Sequence, residues 1–143
     1  MSKFVERLDD LLKEQEFNQK TFAENVGISE GSISFYLREI HIPTVEHLVK
    51  IADYFQCSTD FLLGREEGNR QLTFKRCPPF CEQIVKLKDE FGGKVKHFVE
   101  RAQIARSSYF NWACGKYIPS LDNIITLAEN LGCRVDYILG RES

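Results

Sequence analysis

Residues 19–38 read QKTFAENVGISEGSISFYLR, and this stretch decides the fold. Phe22, Ala23 and Val26 recur at three- and four-residue spacing before Gly27, and Ile28, Ile33 and Tyr36 follow it. Two short helices therefore turn their apolar sides toward each other across a corner. Ala23 is small where the second helix must approach. Gly27 stands where a sharp corner asks for positive φ, which glycine adopts at little cost. Ser29 is placed to cap the second helix by accepting from an orphan N–H. The pattern predicts a helix-turn-helix. Glu30, Gly31, Ser34, Phe35 and Arg38 are left on the outer face of its second helix.

Working outward, Phe4, Val5, Leu8, Leu11 and Leu12 form one stripe, which predicts an amphipathic helix over 3–15. Beyond the corner, Pro43 ends a loop, Thr44 is an N-cap, and Leu48, Ile51, Ala52 and Phe55 mark a fourth helix. Ser58 opens a short fifth helix over 59–63, stopped by Gly64.

A shift of 76 residues aligns 4–66 on 80–142 without a gap, with 18 of 63 positions identical. The matches fall on punctuation as well as on apolar positions: Phe22/Phe98, Ile28/Ile104, Pro43/Pro119, Ala52/Ala128, Cys57/Cys133 and Asp60/Asp136. The run Leu63-Gly64-Arg65-Glu66 recurs as Leu139-Gly140-Arg141-Glu142. Amphipathic helices match one another in hydrophobicity, but shared Pro, Gly and Cys in one register point to duplication. The expected architecture is all-α: two tandem five-helix domains at 1–66 and 80–143, joined by a linker at 67–79.

The linker reads EGNRQLTFKRCPP. Gly68-Asn69 has turn composition, Leu72-Thr73-Phe74 suits an extended segment, and Pro78-Pro79 stiffens the entry to the second copy. Its 13 residues reach at most about 45 Å, and DNA half-sites one turn apart lie about 34 Å from each other. One chain is long enough to span both.

The 143 residues carry a net charge of −2, with 43% hydrophobic and 28% charged residues, an ordinary globular balance. No apolar run approaches the roughly 20 residues of a membrane-spanning helix, and the start has no signal-peptide pattern. The expectation is a cytoplasmic protein with no membrane partner. Five cysteines without an export signal argue against a disulfide framework. The charge is unevenly divided. Residues 1–66 hold 7 Lys/Arg against 12 Asp/Glu, a net of −5; residues 80–143 hold 9 against 8, a net of +1.

The motif Asn18-Gln19-Lys20-Thr21-Phe22-Ala23, with Val26-Gly27-Ile28-Ser29, Ile33-Ser34-Phe35-Tyr36, Pro43 and the tail 58–64, resembles the XRE (Cro-like, phage-repressor) helix-turn-helix family. The second copy is similar to the same family through Tyr109-Phe110-Asn111-Trp112, Gly115-Lys116, Ile118-Pro119-Ser120-Leu121 and 136–140. The resemblance implies double-stranded DNA as partner. It places Gln19 on the backbone or a base edge, Ser29, Glu30, Gly31 and Ser32 at the entry to the major groove, and Ser34, Phe35 and Arg38 behind them. Leu37 and Glu39 depart from the family's usual Glu and Gly, and Glu39 sets a negative charge near the expected phosphate path.

In the second copy Val95 replaces the family's Gln, Val99 the small Ala, Gln103 the corner Gly and Ala105 the capping Ser. A less regular corner is expected, since a left-handed non-Gly residue costs about 1 kcal/mol and a lost cap roughly as much. Its charges suit DNA better. Lys94 and Lys96 open the second helix, Arg106, Ser107 and Ser108 the third, and Phe110, Asn111 and Lys116 follow. Arg and Asn are the side chains that make bidentate contacts to guanine and adenine.

Other constellations take plainer readings. Cys57 and Cys133 suit the core. Cys77 and Cys81 bracket CPPFC, but no second pair at metal spacing follows, so no metal or other cofactor is expected. Trp112 and Tyr36 share one repeat position and read as core. Phe35 and Phe110 suit either a thymine methyl or a partner subunit. His41, His47 and His97 have no catalytic spacing, and no nucleophile or phosphate-loop motif appears, so an enzyme is not expected. The leading reading is a transcriptional repressor using both third helices on an asymmetric operator. The rival is an antitoxin-type or interaction module whose first copy docks a protein partner or a second chain.

Overall fold

Capping residues set where the helices begin. In the computed structural model, which describes residues 2–16, 18–67 and 74–142, Ser2 accepts from the Val5 N–H at 3.3 Å and opens α1 (Lys3–Gln15). Asn18 does the same for Thr21 at 2.7 Å and opens α2 (Gln19–Val26); Ser29 accepts from Ser32 at 3.2 Å and opens α3 (Glu30–Leu37). Thr44 caps α4 (Val45–Phe55) and Ser58 caps α5 (Thr59–Leu62). Each cap satisfies one of the backbone donors that a helix start leaves unpaired.

Five further helices follow: α6 (Phe80–Phe91), α7 (Val95–Ala102), α8 (Arg106–Ala113), α9 (Leu121–Leu131) and α10 (Val135–Leu139). The described residues are all-α, with no strand. The starts of α7, α8, α9 and α10 stand 76 residues after those of α2, α3, α4 and α5. Of the later five only α9 has a side-chain cap, Ser120 accepting from Asn123 at 3.3 Å.

The chain divides into two compact units, Met1–Phe74 and Lys75–Ser143. Residues 75–79, part of the expected linker, are held on the second unit. The Lys75 N–H donates to the Arg141 carbonyl at 2.7 Å. Pro78 fills the space at Gly140, where a Cβ would come within 2.6 Å of the proline Cδ. The expected turn at Gly68-Asn69 and the extended Leu72-Thr73 lie outside the described residues.

Within the first unit, Phe4, Val5, Leu8, Leu11 and Leu12 of α1 are buried with Phe22, Ile28, Ile33, Tyr36, Leu48, Ile51 and Leu62. In the second, Ile84, Leu87, Phe98, Tyr109, Trp112, Ile124, Leu127 and Ile138 form the counterpart. Tyr36 and Trp112 are core residues, as their shared position predicts. Cys57 is fully buried, Cys133 only half-buried, and none of the five cysteines forms a disulfide.

Three contacts recur at equivalent positions, two of them with different residues. The Arg7 guanidinium donates to the Phe61 carbonyl at 3.3 Å, tying α1 to α5, and Gln83 Nε2 donates to the equivalent Tyr137 carbonyl at 3.2 Å. Ser58 donates to Glu66 at 2.5 Å, where the second unit has Arg134 on Glu142 at 2.6 Å. Asp60 pairs with Arg65 at 3.1 Å and Asp136 with Arg141 at 2.5 Å, the latter pair wholly buried.

Candidate nucleic-acid interface

The orientation of α3 follows from what holds the corner before it and the turn after it. At the corner Gly27 takes φ +77°, its N–H and that of Ile28 both donating to the Ala23 carbonyl at 3.0 and 3.1 Å. Lys50 of α4 donates to the Gly27 carbonyl at 3.4 Å. Ile28, Ile33 and Tyr36 are buried, as expected, whereas Val26 is only half-buried. The Tyr36 hydroxyl bonds His47 Nδ1 at 2.5 Å, locking α3 to α4. Burial pushes that hydroxyl above the usual tyrosine range and keeps it protonated.

What α3 leaves outward is close to expectation. Gln19, Ser29, Glu30, Gly31 and Arg38 are exposed, Ser32 and Ser34 half-buried, and the Phe35 ring is 40% exposed. Ser29 and Ser32 also bond through their hydroxyls at 2.9 Å, so Ser32 works partly in the cap. In the turn after α3, Glu39 takes φ +59° without being glycine. Its carboxylate accepts from the Ser2 N–H at 2.5 Å, which draws the charge back toward the start of α1.

The second unit builds the same corner from less suitable residues. Gln103 takes φ +55°, and Ala105 offers α8 no side-chain cap, as its composition predicts. Two compensations were not visible in the sequence. Asn130 of α9 donates to the Ala102 carbonyl at 2.7 Å, satisfying one of the acceptors at the end of α7. Val99, read as a bulky replacement for Ala23, is half-buried, and Ala102 is fully buried one turn later. The small residue has moved along the helix.

On the outward side, Lys94, Lys96, Arg106, Ser107 and Lys116 are exposed, Phe110 is 47% exposed, and Ser108 and Asn111 are half-buried. The Arg106 guanidinium lies 5.5 Å from the Phe110 ring and Lys116 Nζ 5.3 Å from that of Tyr117, so aromatic faces steady both cations. Arg106 stands at the first turn of α8, where the helix dipole disfavours a cation; Glu30, its counterpart, is favoured there. Two choices that weaken α8 locally, no cap and a misplaced cation, put a guanidinium at its outward start.

The descriptive family model Helix-turn-helix matches residues 8–62, from α1 through the last residue of α5. The phage transcriptional repressor RstR of Vibrio cholerae is 41% identical over 108 residues, covering 74% of this chain and 92% of the repressor. The chain belongs to the XRE-type helix-turn-helix family. The HTH-type transcriptional regulator ImmR of Bacillus subtilis is a further relative, 32% identical over 85 residues, 59% of this chain and 67% of that protein. No solved structure matches it significantly. Family membership makes the chain a DNA-binding transcriptional regulator rather than an enzyme. The RstR match is longer than either unit of this XRE-type chain alone, so it reaches into both. Among the described residues, no helix is long and apolar enough to cross a membrane, and no cluster of His, Cys, Asp and Glu has the grouping of a metal site.

His47 and Asn130 are the residues that sequence reasoning missed. Both act across elements distant in sequence, and neither has a local signature beyond a polar side chain on a helix.

Proposed function

We propose that the two units are copies of one helix-turn-helix domain, and that the chain is a repressor reading an asymmetric operator with α3 in one half-site and α8 in the other. The observation that carries this is the contrast between two outward faces built on one corner design. Glu30, Phe35 and Arg38 stand on α3, and Arg106, Phe110 and Asn111 on α8. Gln19, Ser29, Gly31, Ser32 and Ser34 complete the first face; Lys94, Lys96, Ser107, Ser108 and Lys116 complete the second. Cations neutralising phosphates raise affinity by releasing counterions, so the second unit supplies the larger share of backbone attraction. Linking two weak readers raises the effective concentration for the second contact. Such a regulator works in the cytoplasm.

Selection of bound sequences from a random duplex pool tests the reading. Two unlike half-sites about one helical turn apart are expected. A strict palindrome defeats the asymmetry, and no enriched motif defeats sequence-specific reading.

One observation favours a second reading for the first unit. Its reading helix starts on Glu30, Glu39 follows it, and residues 1–66 carry a net of −5. A unit of that charge also suits a protein partner. Unchanged operator affinity in Arg38→Ala and in Glu30→Ala would favour it.

A further inference from the structure

Within the second unit, the segment leading into α6, α6 itself and the end of α10 line a cleft of about 360 Å³, a volume in the range of small-molecule sites. Lys75 and Arg76 stand on the leading segment and Lys86 on α6, all three exposed. Arg76 and Lys86 have no ion-pair partner among the described residues. Two carboxylates share the lining. Glu142 is paired with Arg134 at 2.6 Å, and Glu90 accepts from the Tyr137 hydroxyl at 2.5 Å. That bond, with burial, pushes the hydroxyl up to about 12 and keeps it neutral. With Glu142 set against Arg134, the lining keeps three cations against one carboxylate, an excess of two positive charges.

The cleft also holds an unmet acceptor. Gln83 is 7% exposed, and its Nε2 donates to the Tyr137 carbonyl at 3.2 Å, which fixes the amide. No described residue donates to its Oε1. Buried polar atoms ordinarily have a partner. Pro78 and Leu87 supply apolar surface in the same cleft. The first unit fills the equivalent place. Arg7, 76 residues before Gln83, lies 4.1 Å over the Phe61 ring and donates to the Phe61 and Glu66 carbonyls. Asp10 stands where the second unit has Lys86. Where the first unit has a long, satisfied side chain the second has a shorter one with an open acceptor, and where it has an acid, a base.

We propose that this cleft binds a small organic phosphate, its dianion held by Lys75, Arg76 and Lys86 and one of its hydroxyls donating to Gln83 Oε1. Charge and hydrogen bonding select that class. The excess positive charge matches a phosphate monoester near neutral pH, and a guanidinium forks onto phosphate oxygens. The open acceptor asks for a donor, which a sugar hydroxyl supplies. The site lies outside α3 and α8, so the inference stands apart from DNA reading.

Isothermal titration calorimetry of the full chain with ribose 5-phosphate tests it. Saturable binding of one molecule per chain is expected. Inorganic phosphate should bind about tenfold more weakly, and ribose not at all. Arg76→Ala and Lys86→Asp should each weaken binding at least about tenfold. Gln83→Met should bring ribose 5-phosphate down to the affinity of inorganic phosphate. Lys88→Ala, a cation removed outside the cleft, should change nothing. Far-UV circular dichroism confirms that each variant is folded. Absence of saturable binding overturns the inference, as does binding indifferent to Arg76→Ala and Lys86→Asp or equally weakened by Lys88→Ala. Malate, a hydroxylated dicarboxylate, binding as tightly as ribose 5-phosphate overturns the choice of phosphate.

Discussion

The two units place left-handed residues at the same two points, before and after α3 or α8, and put their glycines at opposite ends. The first has Gly27 at the corner and Glu39 after α3; the second has Gln103 at the corner and Gly115 after α8. Each therefore holds one comfortable and one strained residue around that helix. A side chain in the left-handed region costs roughly 1–2 kcal/mol, so the strain is shared evenly in number and placed differently. The first unit keeps its corner relaxed and its helix capped. The second accepts strain and a missing cap at the point where Arg106 faces outward. On the proposed reading, local rules are broken where function competes with them.

The repeated Asp–Arg pair offers the sharpest way to separate the units. Asp136 and Arg141 are wholly buried, while the Arg65 side chain remains 26% exposed beside Asp60. Breaking a buried pair strands a charge. Arg141→Ala should lower stability by about 3–5 kcal/mol in denaturant unfolding, and Arg65→Ala by less, because the Arg65 side chain already meets water and its removal opens the buried Asp60 to solvent. Equal losses would show that the two pairs do the same work.

Asn130→Ala removes the donor to the Ala102 carbonyl and should cost about 1–2 kcal/mol. Hydrogen exchange should localise the loss to the second unit; a loss spread over both would break the assignment. Smaller effects are expected at the strained positions. Gln103→Gly and Glu39→Gly should each stabilise by about 0.5–1 kcal/mol. Ala105→Ser should add about 1 kcal/mol by restoring the cap of α8. If Gln103→Gly destabilises, the left-handed corner is held by side-chain contacts of Gln103 and not merely tolerated.

Much of this was legible in the sequence. Caps at Ser29, Thr44 and Ser58, the glycine at 27 and the apolar spacing of α1 and α4 are local signals, and local signals survive in one sequence. The sequence repeat was legible because Pro, Gly and Cys recur in register. The compensations were not. The exchange of Arg7 for Gln83, of Ser58 for Arg134 and of Ala23 for Ala102 preserves a contact or a space while changing or moving the residue, so identity across the repeat hides it. The outward faces were legible as well, since α3 and α8 carry too few apolar residues to bury more than one side. Partners across the fold, His47 for Tyr36 and Asn130 for Ala102, depend on helix packing that periodicity does not specify.

The central claim is that both reading helices contact DNA and that the second carries more of the electrostatic attraction. Operator affinity measured by fluorescence anisotropy over a salt series, for the parent chain, Arg38→Ala and Arg106→Ala, tests it most directly. Each substitution should weaken binding, Arg106→Ala by roughly tenfold or more and Arg38→Ala by less, with the salt slope of the Arg106 variant flattened by about one. An unchanged affinity and slope in Arg106→Ala, or a larger loss in Arg38→Ala, would contradict the account.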